Sequence, residues 1–358
     1  MIRQAARGAF ALILFAAVLD TAGLGQPQTN PDKIYYRDKK DGSTRSVEGE
    51  LKAGPAGYQV TSGKTVLALS PADIVRVVPG DLPALDRTSV LSQAALEEKK
   101  DWGKARDGYI EMKKTAKASS EKTNRFLEFK IAHTSARAAD DAKDVEGWQP
   151  RAEEAVKLLE SFLVGTTAGW EVWPAARAAA GLQVELGRFD ALASMWAKFA
   201  KSKDAPADLR AEAGLLEIDA RLRAKQFEEV KSRADELLKT APEGTLKRRL
   251  MLYQLAASKA TTTPAEGVTL VEAEIAKTQD AAIRATGYSV IGELYLAGDK
   301  PSARDAMWAF LWVEVVYNQD KDEVLTALVR LAAVFAQQGD EERAKSYREK
   351  ARRLRAAQ

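Results

Sequence analysis

Two hydrophobic periods divide the chain. Between Lys33 and Val78 the apolar residues come in short runs (IYYR, RSVEGELK, YQVTS, TVLAL and IVRVV), each rich in β-branched or aromatic side chains. These runs predict five strands. Asp41-Gly42 separates the first two, and both residues tolerate positive φ, so a hairpin is predicted there. Gly54-Pro55 with Gly57, Gly63-Lys64 and Ser70-Pro71-Ala72-Asp73 mark the remaining turns. From about Leu85 onward apolar positions recur every three to four residues instead. Pro and Gly fall mostly between those runs, which predicts a succession of amphipathic helices to the end of the chain.

The strand-rich stretch resembles small twisted barrels of SH3-like or Sm-like type in strand count and spacing. That resemblance implies a module over residues 33–80 able to bind a peptide, a polymer or a neighbouring domain. A cap that docks on the helices is the plainer reading, and it is favoured. Asp81-Leu82-Pro83 closes the module as a short linker before a helical domain over 85–358.

Two segments of the helical region align with each other. Tyr288 to Tyr295 leads to Gly298-Asp299, then Ala303, Met307 and Phe310. Leu328 to Phe335 leads to Gly339-Asp340, then Ala344, Tyr347 and Ala351. Ala303 and Ala344 are 41 residues apart, and each lies five residues after its glycine. Three further segments fit the same template: Lys100-Asp101-Trp102 with Ala105, Tyr109 and Met112; Gly187-Arg188-Phe189 with Leu192, Trp196 and Phe199; Lys225-Gln226-Phe227 with Val230, Ala234 and Leu237. With a tight turn, a small residue and larger apolar residues in this order, the chain resembles the tetratricopeptide repeat family. The resemblance implies an α-α superhelical solenoid of about seven helical pairs that binds protein segments along its concave face. Glu121 to Val164 reads as two long helices without the motif, and Thr245 to Lys277 also lacks it. A closed helical toroid or an irregular bundle is the architectural alternative.

Composition narrows the functional classes. The 358 residues carry 54 Lys and Arg against 51 Asp and Glu, a net +3 that offers no strong whole-molecule attraction to nucleic acid. No cysteine is present, so disulfides, thiolate metal sites, a cysteine nucleophile and a lipid-bearing N-terminal cysteine are all excluded. Arg3 and Arg7 precede an eleven-residue apolar run, Ala9 to Leu19, followed by Gly23 and Gly25. This order predicts a signal peptide over 1–25, cleaved near Gly25 with Ala22 or Gly23 as rival sites, and a linker over 26–32. Retention as an uncleaved anchor is the other reading of that segment. No other run approaches the length of a membrane span. An exported periplasmic or secreted protein, not a lipoprotein, is therefore expected.

Catalytic chemistry is hard to assemble from these residues. His133 is the single histidine, which leaves a zinc site only carboxylates to draw on, and no Gly-x-Ser-x-Gly turn or phosphate-cradling glycine loop occurs. Asp140-Asp141, Glu153-Glu154 and Glu228-Glu229 fall on alternating-charge helix surfaces, where adjacent carboxylates point about 100° apart. No enzyme activity, cofactor or metal is expected.

Binding residues are sought among the aromatics and the terminal cations. Trp102, Trp196 and Trp308 fall at repeat packing positions. Trp170 and Trp173 lie in an irregular segment before a helix, where aromatics form a ligand platform or staple the helix that follows. Arg348, Arg352, Arg353 and Arg355 crowd the last helix, as a solvated cap or as a contact for an anionic polymer or lipid surface. The expected function is an extracytoplasmic scaffold for a protein partner. A structural component of an envelope assembly, or a carbohydrate-active protein with a helical toroid, are the alternatives.

Overall fold

The computed structural model describes residues 30–358 except 39, 55–56, 71–72, 117–119, 141–144, 165–168, 204, 261–262, 298–299 and 357–358. The expected signal segment, and the Gly298-Asp299 turn, lie outside the described residues. Five strands form where the alternating runs place them: β1 Asp32–Arg37, β2 Thr44–Gly54, β3 Gly57–Ser62, β4 Thr65–Leu69 and β5 Ile74–Val78. They pair antiparallel in the order β4-β3-β2-β1-β5. The first half of β2 pairs with β1, and the second half with β3. The exchange occurs at Gly49, where a Cβ would stand 2.2 Å from the Thr61 carbonyl oxygen, so the bend requires glycine. Ile34, Val60, Ile74 and Val77 fill the concave side. β1, β5 and the first half of β2 thus form one sheet and the second half of β2, β3 and β4 the other, the small bent β module that strand count and spacing led one to expect.

Fourteen helices follow among the described residues: α1 Arg87–Glu98, α2 Trp102–Thr115, α3 Glu121–Ala139, α4 Val145–Val164, α5 Val172–Glu185, α6 Phe189–Lys201, α7 Ala207–Arg223, α8 Phe227–Leu238, α9 Thr245–Lys259, α10 Pro264–Ala276, α11 Ala281–Tyr295, α12 Ala303–Val315, α13 Lys321–Gln337 and α14 Glu341–Ala356. They make seven pairs, a TPR-like α-solenoid behind a small β module. Four pairs share one turn. Lys100, Gly187, Lys225 and Gly339 each adopt φ between 60° and 78°. The amide after each reaches back five residues: Asp101 to Leu96, Arg188 to Gln183, Gln226 to Arg221 and Asp340 to Phe335, at 2.8–2.9 Å. This double closure of a helix end by a left-handed residue satisfies the last carbonyls and reverses the chain in two residues.

The shared turn sets a shared register. The fourth residue of the second helix is buried in every such pair: Ala105, Leu192, Val230 and Ala344. In α12 that position is Ala306, fully buried, whereas Ala303 is the first residue of the helix and only half-buried. The expected equivalence of Ala303 with Ala344 is therefore corrected by three residues. Ser302 caps α12 with its hydroxyl on the Asp305 amide, so this helix begins later after its turn than α14 does. The same shift moves Trp308 off the packing face. It is exposed, contrary to expectation, while Trp196 is buried.

The solenoid winds tightly enough for its last pair to return to its earlier ones. Val329 of α13 packs on the apolar cluster of α5, α6 and α7. Arg355 of α14 pairs with Glu185 of α5 and Asp140 after α3, and its carbonyl accepts a hydrogen bond from Arg137 Nη1 at 3.0 Å. Arg177 of α5 reaches Asp322 of α13 at 2.7 Å. Gly181 makes room for this approach, since a Cβ there would meet Arg355 Cδ at 2.6 Å.

Candidate interaction surfaces

The first helices of the later pairs converge on a buried ionic core. Arg223 of α7 grips both oxygens of Asp219 at 2.8 and 2.9 Å and donates to Glu293 of α11 at 2.9 Å. Arg330 of α13 holds both oxygens of the same Glu293 at 2.6 Å. Arg249 of α9 donates to Glu323 at 2.9 Å and to the Thr286 hydroxyl at 2.7 Å, and Thr286 and Ser289 both donate to Glu323. Burial alone would lower the Arg223 guanidinium, but Asp219 and Glu293 outweigh it and hold it above its ordinary value. Burial pushes Glu323 up, with Arg249 opposing. Beside this network lies a cavity of about 180 Å³ between Leu192, Trp196, Leu215, Tyr253 and Leu325. The space between these first helices is thus largely filled by the protein's own paired side chains, with a cleft beside them.

A second region joins the β module to the helices. Trp170 packs on the β-module core and on the α3–α4 core, with its ring edge-on to Phe129 at 5.1 Å. Arg76 of β5 pairs with Glu98 of α1 at 2.6 Å, and the Thr123 hydroxyl donates to the Pro83 carbonyl at 2.8 Å. Arg125 meets Glu171 at 3.0 Å across a cavity of about 430 Å³ that Tyr58, Val77 and Phe126 also line. Burial, then Glu171, pushes the Tyr58 hydroxyl up to about 12. The module is docked through a tryptophan and an ion pair, and the linker after it through the Thr123 hydroxyl.

The six residues singled out by sequence do not form one site. Trp173 is buried against Trp196 and Phe199, holding α5 on α6. Trp170 staples module to helices. Arg355 is buried in the closure contacts above, and Arg352 lies over the Trp148 ring at 4.8 Å. Arg353 is exposed and among the described residues pairs only with Glu349 on its own helix, and Arg348 is half-buried near Glu341. His133 lies against Phe129 with the rings tilted by 31°, its Nδ1 buried without a partner among the described residues.

The most conspicuous outward feature was missed from sequence. Trp308, Trp312, Val315 and Val316 form one stripe on α12 and the turn after it, 55%, 44%, 65% and 43% exposed. Trp312 stacks on Tyr288, and Tyr288 on Tyr317, each at 5.4 Å. The Arg284 guanidinium fixes the end of the stack by donating to the Tyr317 hydroxyl at 3.0 Å. The signal was present in the spacing 308, 312, 315, which defines a second apolar stripe beside the core stripe Ala306, Phe310 and Val313.

Neither protein-family models nor curated proteins yield a match to this chain. Among solved structures it is similar to the crystal structure of a tetratricopeptide repeat protein from Parabacteroides merdae ATCC 43184. The two are 15% identical, the alignment covers 75% of this chain and 92% of the other, and the TM-score is 0.44. Among the described residues no helix is long and apolar enough to cross a membrane.

Proposed function

We propose that this protein is an exported, non-catalytic scaffold that holds another protein against the outer face of its helical array. The observation that carries the reading is the α12 stripe of Trp308, Trp312, Val315 and Val316. A contiguous exposed apolar patch marks an interaction site in a soluble domain, and tryptophan is the side chain that most often dominates binding energy. The stacked Tyr288 and Tyr317 stiffen the patch, so little side-chain freedom is lost on docking. The ionic core inside the array supports docking on the outside, because its polar groups are already paired. Arg3, Arg7 and the apolar run Ala9 to Leu19 support export. The exposed Arg353 remains a candidate for an anionic contact beside the protein partner.

A photo-crosslinking residue placed at Trp308, with Glu229 on α8 as the control position, tests this in native envelope material. The reading predicts a discrete protein adduct from position 308 and none from 229. Adducts that are absent, or the same from both positions, contradict it. Stoichiometric co-purification of that adduct partner would mark an obligate assembly component.

A further inference from the structure

α14 packs on α13 and α5 and shares a cavity with the start of α4. At the eighth position of α2, α6, α8 and α12 stand Tyr109, Trp196, Ala234 and Phe310, all buried. In α14 that position is Arg348, and Arg352 follows one turn later. These two residues border a cavity of about 340 Å³. Trp148, Phe189, Val329 and Ala333 give it apolar walls, and Arg348 and Arg352 bring two guanidiniums to it.

These donors are poorly matched. Like charges one helical turn apart repel. Among the described residues neither arginine donates a hydrogen bond: Arg348 Nη1 stands 3.7 Å from Glu341, and Arg352 Nε, buried without an acceptor, stands 3.9 Å from Glu185. Glu185 is already committed to Arg355. The indole N–H of Trp148, a residue only 5% exposed, also lacks an acceptor. Burial lowers the Arg352 guanidinium below its ordinary value, and Glu185 offsets this incompletely. Two buried donors without acceptors at one cavity are costly, and an anion bound there would satisfy them.

We propose that this seam cavity binds a small amphipathic oxyanion, its carboxylate or phosphate head between Arg348 and Arg352 and its apolar body against Trp148 and Val329. Guanidiniums offer paired donors that match the oxygens of either head group. The volume suits a small molecule, with a few polar groups among apolar walls. The site is separate from the α12 stripe, so it stands whether or not a protein docks there.

Isothermal titration with octanoate and octyl phosphate tests the site, with octanol as the uncharged probe. Binding of either anion is expected, with octanol silent. Arg348→Gln and Arg352→Gln should each weaken it by about tenfold or more, the loss expected for a charged hydrogen bond. Arg343→Gln, on the exposed side of α14 and paired with Asp340, should leave it unchanged. Arg348 is the more exposed of the two, so its variant keeps the test valid if Arg352→Gln unfolds. Flotation with phosphatidate vesicles separates the sources of the head group: arginine-dependent flotation points to lipid, and its absence beside octyl phosphate binding points to a free molecule. No binding by either anion, equal binding of octanol, or binding indifferent to Arg348→Gln overturns the proposal.

Discussion

Arg355, three residues from the end of the chain, is ion-paired with Glu185, 170 residues earlier, across the gap left by Gly181. This contact closes the array. Arg355→Met would leave the Glu185 carboxylate without its hydrogen-bonded partner in a buried setting, at a cost of about 3–5 kcal/mol. Gly181→Val should loosen the same seam by forcing the pinned Arg355 side chain away. Hydrogen exchange is expected to rise in α14 and α5 in both variants, with α9 and α10 little changed. Uniform exchange, or none, would show that the seam carries no such weight.

The repeat register gives a sharper test. Ala306 and Ala344 occupy the buried fourth position of their helices, while Ala303 opens its own. Ala306→Trp and Ala344→Trp should each destabilise by about 1–3 kcal/mol through overpacking. Ala303→Trp should cost less than either. Thermal melts that ranked Ala303→Trp with the other two would restore the equivalence expected from the glycine spacing.

That three-residue error shows where the sequence was legible. The Gly187 and Gly339 turns were readable because glycine between two periodic runs meets a local left-handed requirement, whereas at Lys100 and Lys225 only the apolar spacing that follows marked the turn. Both long helices of the second pair were readable from periodicity alone. The start of α12 was not, because it depends on where Ser302 caps a turn longer than the others. Closure was unreadable for a different reason. Arg177 with Asp322, and Arg137 with the Arg355 carbonyl, are pairings between distant segments, and nothing local distinguishes these arginines from solvated ones. The same ignorance led to grouping Arg348, Arg352, Arg353 and Arg355 as one cationic surface, when the helix splits them between solvent, cavity and seam.

The first helices hold a second buried charge pair. Lys130 donates to both oxygens of Glu97 at 2.8 and 2.9 Å, and the Tyr109 hydroxyl donates to one of them at 2.6 Å. Lys130→Met strands Glu97 and should cost about 3–5 kcal/mol, whereas the double change Lys130→Met with Glu97→Met should recover part of that loss, the Tyr109 hydroxyl then lacking its acceptor. Denaturant melts of the three variants measure it. An unrecovered double variant would mean that packing, not charge, dominates the site.

His133 supplies a pH dependence. Burial, then Arg137 and Lys130, lower its imidazole well below the ordinary 6.5. Below pH 6.5 the unfolded chain therefore binds a proton that the folded chain refuses, so stability falls as pH drops through that value. Raised carboxyls such as Glu323 act in the opposite sense, above the ordinary 4.5. Comparing the protein with His133→Phe cancels them. The melting-point difference between the two should move in favour of the variant from pH 7.5 to about pH 5.5. A constant difference would mean that His133 titrates normally.

Closure of the array is what turns attention from its inner face to α12, so it is the claim to measure first. The chain has no cysteine, which makes two-site spin labelling direct. Labels at Gln149 on α4 and Lys345 on α14, both exposed, report the distance across the seam. The structure predicts one narrow distance distribution that broadens in Arg355→Met. A broad distribution in the unaltered protein would mean an open solenoid with a free concave face, and would contradict the account.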